Sequence, residues 1–361
     1  LTATPERMDG GDILEDFDNK IAAEIRLPEA MNRKLLCPFQ YFGITDSIDL
    51  TNVSWSRGKY APSELTDLYT ESDRRVREII DALDKYTKDI NEVRSLGYCV
   101  SMEHAKFMAE KFTLAGLKAA YLTSVNSKER DSIRQKLEKK EINYLFVVDM
   151  FNEGIDIPEI DTILFLRPTE SLTIFLQQLG RGLRLAENKE CLTVLDFVGN
   201  ARPEYNFENK YRALIGKTNI SVNKEIEDNF PHLPLGCSIV LEKMAKEIIL
   251  ANIKSATTLN RRQIIDKIKS FKHQTTLPLN LKNFSEFNNI SIQAIYKRGL
   301  WKKLCREAEE IDVLESINQK EIYSAISNKW LSTNSISYFK FILKLAKKNF
   351  QVKESELDSG E

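Results

Sequence analysis

Short apolar runs rich in β-branched and aromatic residues recur between residues 95 and 200, separated by stretches with helical spacing of apolar positions. The runs Gly97 to Ser101, Ala119 to Leu122, Tyr144 to Asp149, Thr162 to Leu166 and Cys191 to Phe197 are bounded by polar turns and predict buried strands. Between them the pattern predicts helices over Asp73 to Lys88, Met102 to Leu114, Ser127 to about Lys140, and from Pro168-Thr169-Glu170-Ser171 onward. Ser101 and Ser127 stand where N-caps are expected, and Gly116 where a helix should stop. Strands alternating with helices of this length predict an α/β domain, its sheet parallel and wrapped by helices through right-handed crossovers. Residues 34 to about 70 predict one further strand and a connection punctuated by Ser, Gly and Pro. Trp55, Arg57, Lys59 and Tyr60 lie in that connection; packing on the domain surface is the plainer reading beside stacking on bases.

From about Asn206 the period becomes helical. Pro231 and Pro234 mark a linker around His232, a structural position, and a helix is expected from about Ser238. Further helices are expected over Asn260 to Phe271, Leu281 to Phe287, Ser291 to Lys297, Leu300 to Glu309, Lys320 to Asn328 and Ser335 to Lys348. A helix-turn-helix around Asn288-Asn289 would aim Gln293, Tyr296, Lys297 and Arg298 at DNA, although two short helices joined by a turn are common in any fold. Trp301 beside Lys302 and Lys303 reads as a core anchor flanked by solvated lysines.

Composition narrows the class. The 361 residues are enough for two or three domains, and 42% hydrophobic with 29% charged residues is the balance of a soluble globular protein. No apolar run has the length to span a bilayer, and no signal-peptide pattern follows Leu1, so no membrane partner is expected and the chain reads as a piece of a longer one. Five scattered cysteines show no metal-ligand spacing, which predicts a reducing cytoplasmic setting and no metal site of the protein's own; Cys99 and Cys191 read as buried thiols. The formal net charge of −1 hides an asymmetry: Leu250 to Lys353 holds 19 Lys and Arg against 8 Asp and Glu. That excess predicts a C-terminal region that meets a polyanion, with a merely solubilising surface as the alternative.

The chemistry concentrates between Tyr144 and Arg184. The Tyr144 strand leads into the loop Asn152-Glu153-Gly154-Ile155-Asp156-Ile157-Pro158, and the helix after Ser171 carries Gln177, Gly180, Arg181 and Arg184. Loops after the carboxyl ends of parallel strands collect ligands. Arg181 and Arg184, three apart, would share one helix face and form a rigid fork for a phosphate chain. An isolated RxxR is far more often a solvated basic face, so the weight rests on loop and helix together.

FNEGIDIP resembles motif V and QQLGRGLR motif VI of superfamily 2 helicases and translocases, and Leu1-Thr2-Ala3-Thr4-Pro5 resembles their motif III. GYCVSMEHA resembles motif IV. Three of these motifs in the family's order identify the chain as similar to the C-terminal part of such a motor. PFQYFG, WSRGKY, VLDFVGNARPEYNF and FPHLPLGCSI extend the resemblance to a bacterial subgroup that ends in a domain of unknown function. The resemblance implies a remnant of a first RecA-like domain over 1–33, a second RecA-like domain over 34–215, and a mainly α-helical basic domain over 216–361.

It also implies roles. Arg184 and then Arg181 match the arginine fingers of motif VI, with Gln177 orienting the site; Gly154 and Asp156 match positions that approach the nucleotide. Ser101, His104, Thr123, Ser124, Thr2 and Thr4 match positions near the nucleic-acid backbone, where Ser101 and the free amides of a helix N-terminus suit a phosphate. For His104, packing or capping is the competing reading. Val148 stands where motif V often has Thr, which removes one expected backbone contact. No GxxxxGK[ST] loop or DExx-type box is present, so ATP and Mg2+ are expected on the first RecA-like domain of the full-length chain, and these residues alone are expected to hydrolyse no ATP. The function implied is an ATP-dependent helicase or translocase acting on nucleic acid, with DNA expected. The alternatives are a nucleic-acid-binding module, or a motor subunit of a restriction or anti-phage system.

Overall fold

The computed structural model describes residues 25–56, 58–124, 126–148, 157–255, 260–288, 290–308 and 336–347. Thr2, Thr4, Asp149, Gly154 and Asp156 therefore lie outside the described residues, as do Arg57 and the helix expected over 320–328.

Seven strands form one sheet: β1 (Phe39–Asp49), β4 (Ser95–Cys99), β5 (Ala119–Leu122), β6 (Tyr144–Val148), β7 (Thr162–Phe165), β8 (Leu192–Asn200) and β9 (Ser238–Leu241). They run β5-β6-β4-β7-β8-β1-β9, with every pairing parallel. Two short strands, β2 (Trp55–Ser56) and β3 (Lys59–Tyr60), form a separate antiparallel ribbon. The α/β reading with a parallel sheet holds.

The strands are apolar on both faces because helices cover both. Leu145, Val147, Ile163, Phe165, Leu192 and Val194 enter one apolar layer; Tyr144, Phe146, Leu164, Leu166 and Leu195, their neighbours in the chain, enter the other. The second layer is completed by α3 (Asp73–Tyr86) and α4 (Met102–Leu114) through Ile79, Leu83, Met108 and Phe112. The first holds Ile133 and Leu137 of α5 (Arg130–Glu138), Phe175 and Leu179 of α6 (Leu172–Gly182), and Tyr211 and Leu214 of α7 (Phe207–Ile215).

Several boundaries follow from capping. Ser72, Ser101 and Ser171 accept from the backbone N–H three residues on and open α3, α4 and α6. Gly116, at φ +85°, follows the end of α4 as expected. Ser127 does not cap a helix: Ser127–Glu129 is a 3-10 turn, and α5 begins at Arg130 without a side-chain cap. The segment from Ser238 is strand rather than helix. Its Ile239 and Val240 suit an extended edge, β1 offers a free parallel edge there, and the helix α9 (Lys243–Ser255) starts only afterwards.

The chain divides into two compact units, one of Leu1–Leu259 with Ser270–Ile290, the other of Asn260–Lys269 with Ser291–Glu361. The remaining helices in chain order are α1 (Leu27–Asn32), α2 (Pro62–Thr70), α8 (Val222–Glu227), α10 (Arg261–Gln274), α11 (Leu281–Phe287), α12 (Ile292–Tyr296), α13 (Trp301–Glu307) and α14 (Ile336–Lys347). The two helices flanking 288–289, α11 and α12, fall in different units.

Candidate functional site

The connection after β4 leads towards β5 and the connection after β7 leads towards β8, on opposite sides. The switch point of the sheet is therefore between β4 and β7, the place where parallel sheets open a crevice at their carboxyl edge. Here the crevice is filled from within. Arg75 of α3 is 2% exposed; its Nε donates to both carboxylate oxygens of Asp46 (3.2 and 2.9 Å) and its Nη2 to the carbonyl of Leu166 (2.8 Å). Burial opposes the Arg75 charge, and Asp46 outweighs that penalty, so its pKa is raised. Tyr69 of α2 lies against the guanidinium (4.1 Å to the ring centroid) and against the His104 ring (5.1 Å).

His104 is fully buried, and its Nδ1 accepts from the N–H of Val100 (3.4 Å). Burial, with Arg75 and Arg167 nearby, drives its pKa well below the ordinary value. Its surroundings match the packing reading, and a ring with no solvent access offers nothing to a phosphate. Thr123 is likewise buried, with both its N–H and its hydroxyl donating to Asn126 Oδ1 (2.8 and 3.3 Å). Ser101 caps α4, and the exposed Ser124 donates to the sulfur of Met102, the residue after Ser101 (3.2 Å).

Helix α6 carries the arginines. Its inner side buries Phe175, Gln178, Leu179 and Gly182. Tyr98 of β4 donates to the carbonyl of Gln178 (3.1 Å), and a Cβ on Gly182 would stand 2.5 Å from Leu192 Cδ1 and 2.9 Å from Ile163 Cδ1, so glycine lets the helix press onto β7 and β8. Beneath Phe175 lies a buried ion pair, Lys210 of α7 with Asp196 of β8 (2.6 Å), joined by the Tyr41 hydroxyl, which donates to the same carboxylate. Gln177 is exposed, Arg181 follows one turn later half-buried, and a Cβ on Gly180 would meet nothing within 4 Å.

Arg184 differs from expectation. The helix closes at Gly182, where Leu183 N–H donates to Gly180 O (3.3 Å), and Arg184 stands in the turn beyond, not on a shared helix face. Lys189 holds that turn. Its Nζ donates to the carbonyls of Gly182 (2.5 Å), Arg184 (2.9 Å) and Pro158 (3.0 Å), while the N–H of Cys37 donates to Leu183 O (2.9 Å). The open C-terminal carbonyls of α6 are thus satisfied, and the exits of the motif V and motif VI segments are tied by one ammonium. Burial lowers the Lys189 pKa, and Cys37 and Asp161 work against that. In sequence this lysine sits in a polar turn, Glu187-Asn188-Lys189-Glu190, with nothing to set it apart from a solvated one. Trp55 and Tyr60 pack edge to face (4.8 Å), and the Tyr60 hydroxyl accepts from Arg202 N–H (2.8 Å), which is the packing reading of that connection.

No helix of the described residues is long and apolar enough to cross a membrane, and none of their His, Cys, Asp and Glu groups would hold a metal ion.

The parallel sheet with helices on both faces is the fold of a RecA-like helicase domain. Residues 76–186 match the family described as the helicase conserved C-terminal domain, and the chain is in that stretch similar to the C-terminal part of superfamily 2 helicases. A 51.5 kDa protein of a Lactococcus phage is 30% identical over 201 residues, 55% of this chain and 43% of that protein. A Saccharomyces cerevisiae protein named for an ATP-dependent helicase, IRC3, is also 30% identical over 201 residues, 55% of this chain and 29% of that protein. The chain thus spans less than half the length of these relatives. Among solved structures, the yeast DEAD-box splicing factor Prp28 aligns with a TM-score of 0.38 at 15% identity, over 59% of this chain and 37% of that one.

Proposed function

We propose that the full-length protein is an ATP-dependent nucleic-acid motor in which this chain supplies the closing half of the ATPase site. ATP would be held with Mg2+ by the first RecA-like domain of the same polypeptide. Arg184 and Arg181 would reach its terminal phosphates when the domains close, with Gln177 orienting the site and Gly154 and Asp156 near the ribose. Guanidiniums neutralise the charge that builds on a transferring phosphoryl group, and this need calls for rigid placement rather than covalent chemistry. Ser101 and Ser124 would meet the nucleic-acid backbone, and we take that nucleic acid to be DNA.

One observation carries the reading. On the outer side of α6, Gln177 and Arg181 lie one turn apart with open space at Gly180 between them, while the inner side is fixed by packing. Among the described residues nothing demands glycine there, as expected where a second surface approaches closely.

The test is Arg184→Ala in the full-length protein. An arginine finger is worth about 10³ to 10⁵ in rate, so turnover should fall by that factor while ATP binding persists. Near-normal turnover would remove the assignment. The 361 residues alone should hydrolyse no ATP, and nucleic-acid-stimulated hydrolysis by pure material would contradict that. Strand separation on DNA and RNA duplexes decides the substrate.

A further inference from the structure

The second compact unit has its own charge pattern. Residues 291–308 form α12 and α13, joined by the turn Lys297–Leu300. Ile295, Leu304, Cys305 and Ala308 are buried, as are Ile264 and Ile268 of α10. The remaining side of the pair is cationic. Lys297, Arg298, Lys302, Lys303 and Arg306 are all exposed, and Gln293 is exposed one turn before Lys297.

The only carboxylate between residues 291 and 308 is Glu307, and its main partner is Arg261, with Lys303 a weaker one. Arg261 of α10 donates to both its oxygens, Nη2 at 2.7 Å and Nε at 3.2 Å, and also to the carbonyl of Arg298. That guanidinium fixes the turn: Gly299 has φ +156°, and a Cβ there would stand 2.3 Å from Arg261 Nη1. That carboxylate is held chiefly by Arg261, and Lys297, Arg298, Lys302, Lys303 and Arg306, all exposed, are grouped on two helices and the turn between them. A solubilising surface mixes both signs; here one sign is sorted to one place.

We propose that the α12–α13 surface is a second grip on nucleic acid, held by the phosphodiester backbone of a duplex and separate from the motor site. The partner follows from charge complementarity: cations along two linked short helices suit a regular row of phosphates, which position a protein without reading sequence. DNA and RNA duplexes share this chemistry. The inference needs no arginine finger and stands if the ATPase reading fails.

The experiment is a fluorescence-anisotropy titration of the full chain with a short duplex, as DNA and as RNA of the same sequence, at several salt concentrations. Lys297→Gln with Lys302→Gln and Lys303→Gln should make the slope of log K against log salt shallower by roughly 2 to 3, with an affinity loss of about 10²-fold near 0.1 M salt. The control is Lys118→Gln with Lys136→Gln and Lys139→Gln, equally exposed lysines near the amino edge of the sheet, which should change neither quantity. Equal losses in both triple variants, an unchanged slope in the first, or no duplex binding by the parent chain at low salt would each overturn the proposal. Unchanged binding would leave the surface to an acidic protein instead. Tighter binding of one duplex names the nucleic acid. Arg184→Ala in the full-length protein should abolish turnover and leave this slope intact, which separates the two readings.

Discussion

On its inner side, α6 rests Phe175, Gln178, Leu179 and Gly182 against the sheet, above the buried pair of Lys210 and Asp196; on its outer side Gln177, Gly180 and Arg181 meet no such demand. Both sides carry polar residues, but they do different work. The inner groups pack against the sheet and hold the helix in place. On the other side Gln177 is exposed and Arg181 half-buried. A helix that presents charge to a ligand must be fixed from behind, because a misplacement of about 1 Å at a catalytic group can lower a rate by about 10²-fold. The same division recurs at the turn after the helix, where Lys189 spends its charge on three carbonyls so that Arg184 starts from a fixed backbone.

Substitutions can test this division. The largest effect on stability should come from Asp196→Ala, which strands the Lys210 ammonium beneath Phe175. Removing one partner of a buried pair costs about 3 to 5 kcal/mol. Urea unfolding of the chain measures it, and a loss under about 1 kcal/mol would mean the pair is not holding the helix. Next come the two glycines. Gly182→Ala should cost about 1 to 3 kcal/mol by overpacking against Leu192 and Ile163. Gly180→Ala, in open space within a helix, should stabilise by up to about 1 kcal/mol. In the full-length protein Gly180→Ala should nevertheless slow turnover; loss of stability there, or unchanged turnover, would erase the contrast.

A pH dependence should appear as well. Folding holds His104 neutral, so the unfolded chain binds a proton that the folded chain refuses. Stability is then complete above the unfolded value near 6.5 and falls by up to about 1.4 kcal/mol per pH unit below it. Melting temperatures between pH 5 and 7 should show this slope, and His104→Gln should flatten it. A slope that survives the substitution would place the titrating group elsewhere.

Much of this was legible beforehand where local chemistry decides. Ala119–Leu122 and Leu281–Phe287 match the expected bounds, and Ser101 caps its helix, because apolar period and capping hydroxyls act within a few residues. What escaped depends on distant partners. Ser238–Leu241 reads as the start of a helix until β1 is there to pair with it. Arg184 reads as helical because nothing in QQLGRGLR reveals that Leu183 and Lys189 end the helix first. Asp46 and Arg75 lie 29 residues apart and resemble two solvated charges until the fold buries them together. Of the candidate site, the sequence marks Gln177, Arg181 and Arg184 through QQLGRGLR; Lys189 and the buried ion pairs carry no local signature.

The position of β1 also bears on how the protein is made. Among the strands of this sheet it is made first, yet its two neighbours are β8 and β9, which come much later in the chain. At about 5 to 20 residues per second, roughly 10 to 40 seconds separate the synthesis of β1 from that of its last neighbour. The four strands β5, β6, β4 and β7 lie close in the chain and can assemble among themselves meanwhile. The sheet is therefore completed last at its β1–β9 end. A nascent chain stalled before Ser238 would carry a strand holding Phe39, Tyr41 and Ile44 with one edge open, a template for joining its neighbours on the same polysome.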